Sequence, residues 1–250
     1  MIKFFRRIRQ KLIDENRISK YVLYATGEII LVVIGILIAL QLNGMREDAV
    51  ERKKEQSYLH EINLDFKSNK IQIDSIIELN GKAMKCCEKL QAHVAILKKD
   101  PRNFTNFDEN PIKDSLLYYQ GCCYTNKSFN PKSGTIRALI NSSSFDLIQN
   151  DSLRRLLISW DDVLADYLEE EQGTQDILFK EYFPFNRDSY DYENTFSDNN
   201  MKIWFGPREY NFREERRLGL EYLIEVVEQE GITSMIDDII RLTETENNIN

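Results

Sequence analysis

Residues 21–42 read YVLYATGEIILVVIGILIALQL, and beyond the tyrosine hydroxyls their only polar side chains are Thr26, Glu28 and Gln41. As a helix this stretch would extend about 33 Å, against roughly 30 Å for the hydrocarbon core of a bilayer. No other window of the chain approaches it, so the sequence predicts one transmembrane helix over 21–42. Just before it, residues 1–20 hold seven bases (Lys3, Arg6, Arg7, Arg9, Lys11, Arg17, Lys20) and two acids (Asp14, Glu15). Fewer bases follow the span, at Arg46, Arg52, Lys53 and Lys54. The excess of Lys and Arg on the N-terminal side predicts that this side stays in the cytoplasm. The rest would then lie across a bacterial inner membrane, in the periplasm. The exit Ala39-Leu40-Gln41-Leu42-Asn43 lacks the small-residue cleavage pattern of a signal peptide, which favours an uncleaved anchor.

The remaining composition bounds the class. The chain has 250 residues, 42% hydrophobic and 30% charged, with 10 Gly and 5 Pro, which excludes collagen-like and wholly disordered polymers. A mean hydropathy of −0.46 argues against several spans. Acids outnumber bases 41 to 33, so no basic face for nucleic acid is expected. Three segments follow: a basic cytoplasmic stretch over 1–20, the span over 21–42, and an extramembrane domain over 43–250.

Within residues 1–13, Ile2, Phe4, Phe5, Ile8, Leu12 and Ile13 fill one half of a helical wheel, and Lys3, Arg6, Arg7 and Lys11 the other. Either a short helix lies on the anionic leaflet, or a basic tail merely sets topology. Glu28 is the informative residue of the span. Were it at the interface, only about 21 Å of apolar helix would remain, too little to cross. An ionisable group inside the hydrocarbon faces protein, takes a proton, or reaches back to the interface. Glu28, Gly35 and Leu42 repeat at seven; Gly27, Gly35 and Ala39 also share a stripe, and Gly35 to Ala39 is a small-xxx-small pair. This stripe suggests a helix–helix contact, in a homo-oligomer or with another membrane protein. The alternative is a lipid-facing stripe with a snorkelling Glu28.

The run from Met1 to Leu12, then Lys20-Tyr21, then Gly27-Glu28-Ile29 through Val33-Ile34-Gly35-Ile36-Leu37-Ile38-Ala39-Leu40-Gln41, resembles a family of single-pass membrane proteins from Bacteroidetes-type bacteria with a domain of unknown function. The likeness continues more weakly at Gly134-Thr135 to Leu139, Asn141 to Ile148, Asn150 and Leu153. Two positions depart from that pattern: Met45 where the family has Trp, and Ser143 where glycine is usual. The resemblance implies an envelope protein of about this size and no particular activity.

Beyond the span, Glu47 to Lys99 has no proline, and only Gly81 interrupts it. Apolar residues recur there at three and four, as on a helix face. One long helix is expected, either continuous or broken near Gly81, with an end at Asp100-Pro101. Short helices are expected over 113–120 and 135–140. A longer one, capped by Asp151, carries Leu153, Leu156, Leu157, Trp160, Val163, Leu164, Tyr167 and Leu168 on one face and stops at Pro184. Residues 186–211 read as a long loop, and 212–229 and 232–245 as two last helices split at Gly231. The fold class is all-α: a transmembrane helix, then a helical bundle with a long first helix.

The four cysteines form vicinal pairs, Cys86-Cys87 and Cys122-Cys123. In an oxidising compartment one of each pair would bridge; otherwise they are buried thiols, and zinc fits the spacing least. His60-Glu61 begins a zinc-protease pattern, but Leu64 stands where the second histidine belongs. The acid clusters Asp161-Asp162-Asp166, Glu169-Glu170-Glu171 and Asp237-Asp238 read chiefly as solvated faces. No cofactor and no metal are expected. The leading expectation is a non-enzymatic, membrane-anchored partner-binding component. A ligand sensor with its pocket beneath 186–211 comes second, and a hydrolase using Asp161, Asp162 and Glu170 third.

Overall fold

The computed structural model describes residues 18–99, 107, 111–142 and 144–247, and within its helices leaves the side chains of residues 18, 20, 21, 24 and 245–247 undescribed. The basic residues Lys3, Arg6, Arg7 and Lys11, and Ser143, lie outside this set. Every regular element among the described residues is helical. In chain order these are α1 (Ile18–Lys98), α2 (Lys113–Cys123), α3 (Gly134–Asn141), a 3-10 turn (Phe145–Leu147), α4 (Asp151–Asp176), a π-helical turn (Ile177–Tyr182), α5 (Phe183–Ser189), α6 (Asp198–Trp204), α7 (Pro207–Gln229) and α8 (Ile232–Asn247). The chain divides into two units, the first ending at Glu55 and the second beginning at Gln56.

In the first unit α1 contains the one helix among the described residues long and apolar enough to cross a membrane. Its large side chains are exposed all round: Leu23 is 76% exposed, Leu31 73%, Leu37 60% and Leu42 62%. Thr26 satisfies its hydroxyl by donating to the Val22 carbonyl at 2.9 Å, as suits a polar group on an apolar helix. Where charge resumes, local pairs appear, Asn43 to Glu47 at 2.8 Å and Arg52 to Glu55 at 3.0 Å.

In the second unit the rest of α1 buries a stripe. Leu59, Ile62, Phe66, Ile73 and Ile76 pack with Leu153, Leu157, Trp160, Leu164 and Tyr167 of α4 and with apolar residues of α7 and α8. Further along, Cys86, Cys87, Leu90, Val94 and Leu97 join Leu116 and Cys123 of α2, Trp204 of α6 and Phe107 in a second cluster. A third, small cluster joins Leu178, Tyr182 and Phe212.

Several boundaries differ from the sequence reading. The helix does not break at Gly81, because buried neighbours on either side offset a cost of about 1 kcal/mol for a helical glycine. Helix α2 continues three residues past Gln120 to Cys123. The cap of α4 is Asn150 rather than Asp151; its Oδ1 accepts the N–H groups of Ser152 and Leu153, both at 3.0 Å. Pro184 does not end the helical path. The turn before it widens to a π-helix, and the proline sits in the first turn of α5, where an absent N–H costs nothing. Residues 186–211 are not a loop either: they hold the end of α5, all of α6 and the start of α7. Buried Asn200 organises this segment, donating to the carbonyls of Asp191, Asn194 and Thr195 at 2.7–3.2 Å. Between α7 and α8, Gly231 takes φ 64°, the left-handed conformation that closes a helix without a Cβ clash.

Candidate functional site

Three polar or sulfur-bearing constellations stand out in the bundle. The first follows from α1 and α2 lying side by side with a vicinal cysteine pair on each. The structure joins Cys86 to Cys122 and Cys87 to Cys123, with Cα separations of 5.8 and 4.9 Å. The two bridges are not equivalent in burial. Cys87 and Cys123 are each 0% exposed, whereas Cys122 is half-buried. Two clefts adjoin this outer bridge and share Lys82 and Tyr118. One, of about 570 Å³, takes in Cys86, Lys85, Lys89 and Tyr119. The other, of about 450 Å³, takes in Cys122, Leu117 and Gly121. Lys89 Nζ lies 5.5 Å from the centre of the Tyr119 ring, and the His93 ring tilts against the same tyrosine at 5.2 Å.

The second constellation is a cleft of about 440 Å³ over Glu171, lined also by Ser128, Ser133, Arg137 and Gln175. The Glu171 carboxylate accepts the Phe129 N–H at 3.0 and 3.2 Å and the Tyr167 hydroxyl at 3.2 Å. Burial raises its pKa, and the two hydrogen bonds oppose the rise only in part. Burial, and then the neighbouring carboxylate, push the Tyr167 phenol up as well. Thus one member of the acid triplet is a core residue, while Glu169 and Glu170 are exposed.

The third is a buried node on the inner face of α7. Glu209 Oε1 accepts from Gln120 Nε2 at 3.0 Å and from the hydroxyls of Tyr124 and Tyr182, both at 3.2 Å. The two tyrosine rings stack at 3.8 Å. Arg213 donates to the carbonyls of Glu209 and Trp204, and Arg216 to that of Thr125 at 2.8 Å. Burial lowers the Arg216 pKa to about 10 and, with the nearby Tyr182 and Glu209, raises that of Tyr124. Glu209 Oε2 and Arg216 Nε and Nη1 have no hydrogen-bond partner among the described residues. Sequence reasoning missed this node. Its signal was present: Glu209, Arg213 and Arg216 share the helical spacing of the buried Phe212, Leu220 and Leu223.

The other residues singled out from the sequence are dispersed. Asp161, Asp162 and Glu170 all stand exposed on α4, with Asp161 3.9 Å from Arg137. His60 is exposed. On the apolar part of α1, Gly27 and Gly35 have open space where a Cβ would be, and Ala39 is exposed. Glu28 is half-buried.

An all-α chain with one span-like helix and a doubly bridged bundle thus defines the class. The chain belongs to DUF6090, a family of unknown function, whose family model matches residues 28–161. The match takes in Glu28, Gly35, Ala39, all four cysteines and α4 as far as Asp161. No curated protein and no solved structure matches the chain.

Proposed function

We propose that the protein is a membrane-anchored envelope component of a Bacteroidetes-type cell, whose bundle lies in the periplasm and binds a partner or a second copy of itself. One observation carries this reading: the helix from Val22 to Leu42 exposes large apolar side chains on every side, a surface suited to lipid and not to water. The excess of bases before the span supports an N-terminus in the cytoplasm. Two bridges on the other side of the span suit an oxidising compartment. In the span, Glu28, Gly35 and Ala39 with Gly27 form the contact stripe, where small residues let helices approach and the carboxyl finds a partner. The role is non-enzymatic.

Topology is tested with reporter enzymes fused at the C-terminus, one active only in the cytoplasm and one only outside it. Activity of the cytoplasmic reporter alone would end the reading. The partner role is tested by crosslinking and copurification from native membranes with wild-type and Glu28→Ala baits. Loss of specific neighbours, or of the homo-oligomer, from the Glu28→Ala bait is expected. Equal recovery by both baits would refute the intramembrane contact.

A second reading, a ligand sensor, is favoured by the Glu171 cleft rather than by residues 186–211. Thermal shift with envelope metabolites, compared between wild type and Glu171→Gln, tests it; a shift that survives the substitution would place any ligand elsewhere.

A further inference from the structure

We propose that the outer bridge, Cys86–Cys122, is a thiol–disulfide exchange site for a protein dithiol, and that the inner bridge, Cys87–Cys123, is a permanent staple. An attacking thiolate must reach a sulfur along the S–S axis. Both sulfurs of the inner bridge belong to fully buried residues, which leaves no path. Cys122 is half-buried and lines an open cleft beside Gly121, where a Cβ would meet nothing within 4 Å apart from its chain neighbours and its own helix backbone. A side chain at that exposed helical position would narrow the approach to the sulfur.

Electrostatics act in the same direction. Lys82, Lys85 and Lys89 line the cleft that contains Cys86, with Glu78 the one acid among its lining residues. Cationic neighbours favour an incoming thiolate and stabilise the thiolate that leaves. The exposed Tyr118 and Leu117 offer apolar contact area for a protein donor at the same place.

One thiolate of the donor attacks Cys122 Sγ; the Cys86–Cys122 bond breaks, and Cys86 departs as a thiolate and takes up a proton. The donor's second thiol, deprotonated, then displaces Cys122 from the mixed disulfide. Two electrons and two protons pass from donor to bundle, and the donor leaves as a disulfide. Because Cys87–Cys123 still ties α1 to α2, the outer bridge opens without releasing either helix.

The test uses the full-length protein in mild detergent, with dithiothreitol as the probe dithiol. Free thiols are alkylated at intervals and located by peptide mass spectrometry. Cys86 and Cys122 should be labelled at least roughly tenfold faster than Cys87 and Cys123, with the helical circular dichroism unchanged at the two-thiol stage. Opening of both bridges together, of the inner one first, or of neither before unfolding would overturn the proposal. Paired variants keep it decidable: the bridge left in Cys87→Ala/Cys123→Ala should reduce readily, and the one left in Cys86→Ala/Cys122→Ala should resist. The reverse order refutes it. Replacing Lys82, Lys85 and Lys89 by Gln should slow outer-bridge reduction by roughly threefold or more; an unchanged rate would remove the lysines from the site.

Discussion

The side-chain amide of Asn69 satisfies both main-chain groups of Lys132: it donates to the Lys132 carbonyl at 2.9 Å and accepts the Lys132 N–H at 2.7 Å. Asn69 is 0% exposed, so this pair fastens the segment before α3 to the middle of α1. Replacement by Ala would strand two backbone groups. We expect Asn69→Ala to destabilise the bundle by about 2–4 kcal/mol, read from denaturant midpoints at unchanged slope. A loss under about 0.5 kcal/mol would mean that water replaces the amide without cost.

The Glu171 carboxyl provides a pH signature. Its folded-state pKa is raised above the ordinary 4.5, mainly by burial. For an acid shifted this way the unfolded chain ionises first. The stability contribution is therefore greatest below the unfolded pKa and falls as pH rises towards the folded one. Gln at 171 keeps an acceptor for Phe129 and Tyr167 and does not titrate. The difference in stability, wild type minus Glu171→Gln, should therefore decline as pH is raised from about 4.5. A difference that grows with pH would show Glu171 to be stabilised as the anion.

Trp160 is fully buried and meets Phe66 edge-on at 4.9 Å, yet its indole N–H has no hydrogen-bond partner among the described residues. Trp160→Phe removes that orphan donor along with some volume, and the two effects oppose each other. We expect it to cost less than about 1.5 kcal/mol, against about 3–5 kcal/mol for Trp160→Ala. Thermal or denaturant unfolding of the two variants decides this; equal losses would show that the volume removed does not set the cost.

The contributions of the two bridges should not add, because each closes 36 residues of nearly the same stretch of sequence. The first to form closes a long loop, worth about 4 kcal/mol in the chain-entropy relation. The second closes only the small ring made by the four cysteines themselves, for which the same relation gives less than about 2 kcal/mol. Cys86→Ala/Cys122→Ala should thus cost less than half of what removal of all four cysteines costs, as read from urea unfolding. Additive losses, with each bridge alone accounting for half of the total, would contradict the loop argument.

How legible this fold was depended on the physics of each segment. The apolar run after Lys20 and the face of α4 carry strong periodic signals, because burial there involves many apolar residues in register. Gly231 was legible as a helix end because a positive φ singles out glycine. Residues 186–211 were not, since α6 is seven residues long and buries only Asn200 and Trp204, too few positions to read as a stripe. Pro184 misled because the rule against internal proline presumes an α-helical turn before it. The Glu171 cleft was hidden for a related reason: three consecutive acids look alike in sequence, while α4 points only one of them inward. Which cysteine meets which depends on how α2 is rotated against α1, a property of packing that residue spacing does not encode.

No cysteine belongs to the apolar cluster around Trp160, whereas both bridges belong to the cluster around Trp204. The larger cluster draws on α1, α3, α4, α7 and α8 and needs no oxidant to close. Closure of the sulfur-free half thus asks nothing of the four cysteines. The half that carries them is sealed only once an electron acceptor has taken up their electrons, so the fully reduced chain lacks its seal in one half alone.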